Sequence, residues 1–445
     1  MKENIMGTKK ILPLIMTMGF PPMISMLIQS LYNIVDSMFV ARLGENALTA
    51  VSLAFPMQNI VLAVAVGFGV GINSVIARAL GSQNQNEVNN ATAHGFVLTA
   101  IHSLLFILVG IFFTVPFLKL FTSNSTTLTN ATLYCRIVIC FSFGQLFHIY
   151  IEKLFQAVGN VITPMIMQIV GAVINIILDP IFIFGYFNMP ALGVSGAAIA
   201  TVIGQMSACL LSIFLFMKYK GQIQVTFKNF HFHTQIIRKI YEIAFPSSLM
   251  TAMPSLLVGI LNGILAPISS TSVAVFGLYY KVQTFVYMPA NGIIQGMRPI
   301  IGYNYGAKKY DRVKETIKKC IMLIGSIMLM GTCLFCFVPE FIMNLFSASK
   351  DMIQIGIPAL RIISLGFIIS TIGIVFSGVF EALGKGKESL IISVLRQLLI
   401  IPLLSLILKD ILGLIGIWST FMIAETIASV TALFIYHKIK TKIFR

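Results

Sequence analysis

Long apolar runs, separated by short polar interruptions, fill this sequence from one end to the other. A helix needs about 20 apolar residues to cross about 30 Å of hydrocarbon. Runs of that kind occur twelve times, at about 12–42, 47–78, 92–118, 128–155, 163–186, 192–217, 240–266, 272–303, 316–340, 352–380, 388–408 and 412–437. Because they are continuously apolar instead of alternating at every second residue, they predict helices and not the strands of a membrane barrel.

The pattern repeats once, at a constant offset that carries Phe20 onto Phe245. The matched pairs are Phe20-Pro21 with Phe245-Pro246, Gly67 with Gly292, Gly71 with Gly296, and Phe155-Gln-Ala-Val-Gly159 with Phe380-Glu-Ala-Leu-Gly384. One offset for several separated segments indicates two halves of the same topology, an organisation found in alternating-access transporters. We therefore predict an all-α polytopic membrane protein, with twelve transmembrane helices in two pseudo-symmetric six-helix lobes around a central cavity. The predicted lobes are residues 1–217 and 240–445, with a cytoplasmic linker at 218–239.

Composition narrows the class of protein further. Of 445 residues, 57% are hydrophobic and only 10% are charged, whereas a soluble domain is roughly 25% charged. This excludes a cytosolic enzyme, a secreted disulfide-bonded protein and a disordered chain. The net charge of +16 would suggest a nucleic-acid partner in a soluble protein. In a membrane protein, the same excess more often marks cytoplasmic loops.

The basic residues gather at alternate interruptions. Two loops are the richest, the first with Lys218, Lys220, Lys228, Arg238 and Lys239, the second with Lys308, Lys309, Arg312, Lys314, Lys318 and Lys319. The intervening loops hold only Arg42, Lys119, Lys350 and Lys409. This asymmetry predicts that both termini are cytoplasmic, and it accounts for the positive charge without any nucleic acid.

A carboxylate at bilayer depth is costly, so each one suggests a function. Asp36 ends the pattern Gln29-x-x-x-Asn33-x-x-Asp36, whose spacings of four and three place all three residues on one helix face. Asn175-x-x-x-Asp179-Pro180 forms a second such face, and Pro180 frees a backbone carbonyl one turn earlier. Carboxylate, amide and carbonyl oxygens suit a small cation such as Na⁺.

The predicted depths place Asp36 and Asp179 together in the outer half of the membrane. Two carboxylates in a poorly solvated pocket cannot both ionise cheaply, so the pair can load and release a proton as one unit. The alternative is that each Asp only caps or hydrogen-bonds a helix break. Glu152 should lie roughly 15 Å further inward at 1.5 Å per residue, as a separate site or as an ion pair with a neighbouring Lys or Arg.

The acidic pattern belongs to the first half alone. At the repeat offset, Leu261, Ser377 and Leu404 stand where the first half has Asp36, Glu152 and Asp179. Coupling is therefore predicted in the N-terminal half. We interpret Glu381 as part of a solvated face. For Glu425, Lys281 and Arg298, an internal ion pair and a substrate contact stay open.

Prolines interrupt two of these spans. Pro21 and Pro22 lie in the first turns of the first span and should kink it, which would let Asp36 move on protonation; a static bend is the alternative. Pro180 is a third candidate hinge. The sequence has no Gly-x₄-Gly-Lys-Ser/Thr motif, so an ion gradient, and neither ATP nor another cofactor, is the expected energy source.

These residues resemble the MATE (multidrug and toxic compound extrusion) family. The resemblance rests on Phe20-Pro21 with Asp36, on Asn175-Ile-Ile-Leu-Asp179-Pro180, on Glu152 before Phe155-Gln-Ala-Val-Gly159, and on Gly302-Tyr-Asn-Tyr-Gly306. The context of Glu152 and Asp179 is similar to the MepA-like branch. The order of the motifs covers nearly the whole chain.

The resemblance implies a non-enzymatic multidrug antiporter in a bacterial plasma membrane, expected to be a monomer. It would export cationic, amphipathic drugs and dyes in exchange for H⁺ or Na⁺. In the family's pattern Asp36 and Asp179 would carry the ion, and Glu152 and Asp179 would contact substrate. The helix faces described above add Asn33 and Asn175 as candidate ion ligands and Gln29 as a candidate substrate contact. A lipid-linked precursor flippase of the same superfamily is the alternative, although twelve spans and an acidic first half argue against it. A membrane scaffold without transport is a third possibility.

Overall fold

The computed structural model describes residues 4–227, 230–346 and 348–443, and all regular secondary structure in them is helical. Nine helices in these residues are long and apolar enough to cross a membrane, or ten if one bent pair is counted as a span. Two further features complete the predicted set of twelve. The apolar stretch Gly386–Thr441 is broken at Gly413, where φ is +59°, and the 37-residue helix Ser270–Gly306 is long enough to span.

The helix bounds reproduce the sequence repeat. Helix α3 (Glu45–Gly81) and helix α11 (Ser270–Gly306) begin and end at positions related by the repeat offset, and so do α4 (Gln85–Phe112) and α12 (Tyr310–Phe337). The predicted duplication is therefore present in the fold. One difference is that the first half breaks its fourth span into two helices bent by 41°, whereas the second half keeps the equivalent helix continuous.

The chain forms two compact units. The first unit, Ile24–Ser248, contains most of helix α2 (Ile11–Ala41), the start of helix α10 (Thr234–Leu265), and the complete helices between them. These are α3, α4, α5 (Thr114–Lys119), α6 (Ser125–Cys140), α7 (Phe143–Ala157), α8 (Ile162–Phe184) and α9 (Val194–Lys218). Helix α3 is the most deeply buried of the spans and packs against α4, α6 and α7.

The second unit combines Leu249–Arg445 with the N-terminal residues up to Met23. Its helices are α1 (Ile5–Thr8), the start of α2, the rest of α10, α11, α12, α13 (Pro339–Leu345), α14 (Lys350–Ala382), α15 (Gly386–Val394) and α16 (Ile401–Ile443), with a π-helical stretch at Leu395–Ile400. Helix α14 is central, because it packs on both α11 and α16.

Glycines allow the starts of α2 and α10 to pack closely against a neighbouring helix. In the first unit a Cβ on Gly67 would lie 2.3 Å from the backbone nitrogen of Ser248, so only glycine permits this approach. In the second unit Gly292 packs against Met23 in the same way. Gly67 and Gly292 are repeat partners, and so are Met23 and Ser248. Close packing at these glycines is thus built in the same way in both units.

The unit boundaries differ from a simple division at the linker. Both changes of unit, after Met23 and after Ser248, fall inside a helix and occupy equivalent positions of the repeat. They arise because the starts of α2 and α10 pack on α11 and α3, respectively. The lobe boundaries based on the repeat stay a prediction. Lys228 of the predicted basic linker lies outside the described residues.

Much large apolar surface is exposed, as expected for helices that face lipid. Phe112, Leu210, Met330 and Phe434 each expose about two-thirds of their surface, which would be unfavourable in water. Polar caps instead lie at the helix ends, where the Asn84 and Asn124 side chains accept bonds from the amides of Glu87 and Thr127. Such caps satisfy backbone groups that the helix leaves free.

Candidate functional site

Helices α2 and α8 bring Asp36 and Asp179 together within the first unit. The two carboxylates are close enough for their charges to interact. The Nδ2 atom of Asn175 donates to Asp179 Oδ1 over 3.3 Å, as the one-turn spacing predicts. Asn175 and Asp179 are almost completely buried. Their position inside the protein, away from lipid, is what an ionisable group at this depth requires.

Two tyrosines complete the surroundings of the acids. Tyr32 lies one turn before Asp36 on α2, Tyr134 comes from α6, and both lie near Asp36 and Asp179. The Nε2 atom of Gln58 on α3 donates to the Tyr134 hydroxyl over 3.4 Å. The site is therefore assembled from four helices of one unit.

The site has more acceptors than donors. Asp36 Oδ1, Asn175 Oδ1 and Asp179 Oδ2 are buried, and none has a hydrogen-bond partner among the described residues. An unsatisfied buried acceptor is costly. An amide oxygen only accepts hydrogen bonds, and so does a carboxylate when it is ionised. A proton on one carboxyl group or a bound cation would therefore supply the partner that these oxygens lack.

The remaining predicted residues of α2 lie less deep. The Gln29 side chain is half-buried and Asn33 is exposed, and the Asn33 carbonyl accepts the hydroxyl of Ser37. Helix α2 continues through Pro21 and Pro22, and α8 continues through Pro180. Roles for Gln29 and Asn33, and the hinge function of the three prolines, stay predictions.

Glu152 forms a separate polar cluster on α7. Its Oε1 atom accepts from Lys153 Nζ at 2.8 Å and from Gln156 Nε2 at 2.9 Å. Asn73 of α3 donates to the Lys153 carbonyl. Of the two possibilities considered for Glu152, the ion pair is therefore present, and its partner is the adjacent, buried Lys153. A contact with substrate stays a prediction.

Two largely buried ion pairs lie in the described part of the second unit. Arg298 Nη2 lies 2.5 Å from Glu381 Oε2, and Arg396 Nη1 lies 3.5 Å from Glu425 Oε1. Our interpretation of Glu381 as solvated is wrong, because the residue is only 1% exposed and its charge is balanced by Arg298 of α11. Of the two possibilities for Arg298 and Glu425, each forms an internal ion pair, with Glu381 and with Arg396, respectively. Lys281 is exposed.

Sequence reasoning missed Tyr32, Tyr134, Gln58 and Arg396. Tyr32 carried a usable signal, since it precedes Asp36 by one turn on the same helix. Tyr134 and Gln58 reach the acids from other helices, so only the packing of α3 and α6 shows their role.

The fold is all-helical and duplicated, and in one half two buried acids have no basic partner among the described residues; this combination defines a polytopic membrane protein of the transporter type. Comparison with known families agrees: the MatE family model matches residues 21–181 and 246–406. The two matched segments are related by the same offset as the sequence repeat and the helix bounds. The chain belongs to the MatE family.

Its similar curated relatives include multidrug export proteins. The Multidrug export protein MepA of Staphylococcus aureus (strain MSSA476) is 27% identical over 96% of this chain and 94% of its own length. The protein of the same name from Staphylococcus saprophyticus is 26% identical over the same shares.

Solved structures share the fold over the full chain. A structure described as an outward-facing conformation of a multidrug resistance MATE family transporter of the MOP superfamily has a TM-score of 0.92 at 25% identity, covering 100% of this chain and 99% of that one. A MOP superfamily transporter from Pyrococcus furiosus, described as having a binding pocket of reverse polarity, has a TM-score of 0.91 at 24% identity, with the same coverage.

Proposed function

We propose that this protein is a secondary active multidrug exporter that moves cationic, amphipathic drugs and dyes out of a bacterial cell by alternating access, in exchange for H⁺ or Na⁺. The observation that carries the ion coupling is the group of buried, unpartnered oxygens on Asp36, Asn175 and Asp179 within the described part of the chain. Family membership and the multidrug export proteins among the relatives support the drug part of the proposal.

The chemistry of the site supports antiport. When both acids are ionised, the pair carries negative charge that only a cation can balance in a poorly solvated place. A proton or Na⁺ and a cationic drug then compete for the same charge, since either one neutralises it. Competition of this kind obliges the protein to release one before it binds the other, which is the requirement for exchange.

Glu152 is proposed as a second contact for cationic substrate. Its side chain is 18% exposed while its charge is balanced by Lys153. A cationic drug would have to displace the Lys153 ammonium group from the carboxylate, so binding there would depend on how well the drug replaces that ion pair. No nucleotide or other cofactor is required by this scheme.

Dye flux in vesicles of purified protein tests the proposal. The vesicles are loaded with a fluorescent cationic dye, and H⁺ and Na⁺ gradients are imposed separately. We expect at least one gradient to drive dye movement, with the dye and the ion moving in opposite directions. Absence of flux under both gradients would contradict the proposal. Translocation of a lipid-linked precursor in place of dye would favour the flippase.

A further inference from the structure

A buried histidine of the first unit is hydrogen-bonded to α8, the helix that carries Asp179. His148 lies on α7, one turn before Glu152, and is only 5% exposed. Its Nδ1 atom lies 2.9 Å from the Ser212 hydroxyl of α9, and its Nε2 atom lies 3.2 Å from Oε1 of Gln168 on α8. Two bonds from one ring to two different helices hold the imidazole in a fixed orientation.

The orientation of the Gln168 amide decides how many hydrogens the ring carries. Ser212 donates its only hydroxyl hydrogen to the Ala208 carbonyl over 2.6 Å, so it can only accept from Nδ1. The Gln168 oxygen is also an acceptor. With the Gln168 oxygen facing Nε2, both ring nitrogens carry hydrogen, which is the pattern of a protonated imidazole. A neutral ring would need the Gln168 amide turned over, so that its NH₂ group donates to Nε2.

Gln168 belongs to the same helix face as the acids. Residues 168, 175 and 179 of α8 are separated by seven and four positions, which places them on one face. From Gln168 to Asp179 the helix rises about 17 Å. One face of α8 therefore leads from His148 to the Asp36–Asp179 site.

A polar side chain on α9 lies level with the part of α8 between Gln168 and Asn175. Gly204 packs against Gly171, and one residue later Gln205 has a buried Oε1 atom with no hydrogen-bond partner among the described residues. This level falls between Gln168 and Asn175. An unpaired acceptor there can hold a water molecule, which would continue the hydrogen-bonded line between the two clusters.

The charges around His148 come from its own helix. The charged side chains that act on the ring are Glu152 and Lys153. Helices α8 and α9 face it with Gln168 and Ser212, which do not titrate. Helix α3 meets this part of α7 through Gly69 and Asn73, and α4 meets it at Tyr150, whose hydroxyl donates to the Thr92 carbonyl. A proton on His148 is thus close to one carboxylate, that of Glu152, and this carboxylate is also paired with Lys153.

We propose that His148 carries the coupling proton between the Asp36–Asp179 site and the predicted cytoplasmic end of the first unit, a role that rests on the proposed antiport. A carboxyl group of the Asp36–Asp179 site gives up its proton through water, the proton bonds to the Nε2 lone pair, and the Gln168 amide turns so that its oxygen accepts the new N–H. On release the N–H bond breaks, the proton passes to water at the cytoplasmic end, and the Gln168 amide turns to donate.

The test compares H148Q with H102Q in reconstituted full-length protein. His102 is a matched control, because it is a partly buried histidine of the same unit that contacts Tyr241 and lies off the α8 face. Imidazole titrates near neutral pH, so we measure proton-driven dye flux between about pH 5 and about pH 8. We expect H148Q to lose at least about tenfold in flux together with the pH dependence near neutrality, while equilibrium dye binding stays within about twofold. H102Q should keep the wild-type profile.

A wild-type pH profile in H148Q would overturn the role of His148. So would unimpaired proton-driven flux. If the wild-type protein itself shows no flux under either gradient, the proposed function fails instead. If only Na⁺ drives wild-type flux, the antiport stands and the role of His148 is overturned.

A second variant and a direct measurement keep the proposal testable if H148Q fails to fold. Gln168→Met removes the partner of Nε2 but leaves the histidine, so it should shift the pH profile without abolishing flux. Nitrogen NMR of histidine-labelled protein should show one ring that changes from neutral to doubly protonated between about pH 8 and about pH 5, and this signal should be missing in H148Q. A single neutral tautomer from about pH 5 to about pH 8 would contradict the proposal.

Discussion

At the scale of single residues, the acids of the first unit differ in how their charge is balanced. Glu152 is paired with Lys153 and bonded to Gln156. Asp179 accepts from Asn175, while Asp36 and Asp179 each keep a buried oxygen that has no donor among the described residues. The difference separates an acid whose charge is held in a stable pair from acids without a basic partner among the described residues, which is what the proposed ion coupling requires.

Replacing Asp36 with Asn should abolish export. An amide occupies the same volume but can neither take up a proton nor supply a formal negative charge for Na⁺, so we expect at least about a tenfold loss of dye flux with unchanged membrane insertion. Asp410→Asn is the matched control, because Asp410 is an exposed acid. Flux in both variants is measured in cells and normalised to the amount of inserted protein. Equal flux in the two variants would contradict a coupling role for Asp36.

Removing one partner of the buried Arg396–Glu425 pair should destabilise the second unit. A buried charge left without its partner costs about 3–5 kcal/mol in soluble proteins, so Arg396→Met should lower the unfolding temperature in detergent clearly. Adding Glu425→Gln should recover most of that loss, because no unpaired charge remains. Arg238→Met, in an exposed pair with Glu242, should change stability by less than about 1 kcal/mol. A double variant less stable than Arg396→Met would contradict this account.

At the scale of helices, the two units use equivalent positions for different purposes. Gly171 lets α8 and α9 approach closely in the first unit. Its repeat partner in the second unit is Arg396, which lies in the π-helical stretch and pairs with Glu425 on α16. Likewise Gln156, which bonds Lys153, is replaced by Glu381, which pairs with Arg298. The duplicated scaffold therefore keeps its helices and exchanges its polar contacts.

Close packing at Gly67 should be sensitive to a single methyl group. An added Cβ would meet the Ser248 backbone at 2.3 Å, and overpacking of this kind costs typically about 1–3 kcal/mol. Gly67→Ala should therefore lower the unfolding temperature, and its repeat partner Gly292→Ala should do the same. Gly263→Ala is the control, since nothing lies within 4 Å of its Cβ position and alanine favours helix by about 1 kcal/mol. Similar effects at Gly67 and Gly263 would refute the packing argument.

At the scale of the whole molecule, the helices and the duplication could be predicted because both leave a direct signal in the sequence. Membrane spans require about 20 apolar residues, and the repeat retains enough identities to define one offset. The partners of single charges could not be predicted in this way. Glu381 looked solvated because it ends a span, and its partner Arg298 lies on another helix, far away along the chain. Tyr134 and Gln58 likewise reach Asp36 only through packing.

Orientation in the membrane is a prediction that labelling can test. In a variant with all six native cysteines replaced, a cysteine at His231 should react with a membrane-impermeant thiol reagent only from the cytoplasm. A cysteine at Ser123 should react only from outside. Both native side chains are exposed, so access is limited by the membrane and not by burial. The reverse pattern would show that the basic loops do not set the topology.

The shared construction of α2 and α10 has a consequence for how the protein is made. Residues 11–23 leave the ribosome early, yet the helix against which they pack, α11, begins only at Ser270 and is synthesised after the whole first unit. The first unit, in turn, is incomplete until Ser248 has been made. The first unit therefore cannot finish folding until the start of α10 has been made. The start of α2, the oldest part of the nascent chain, has no helix to pack against until α11 is synthesised.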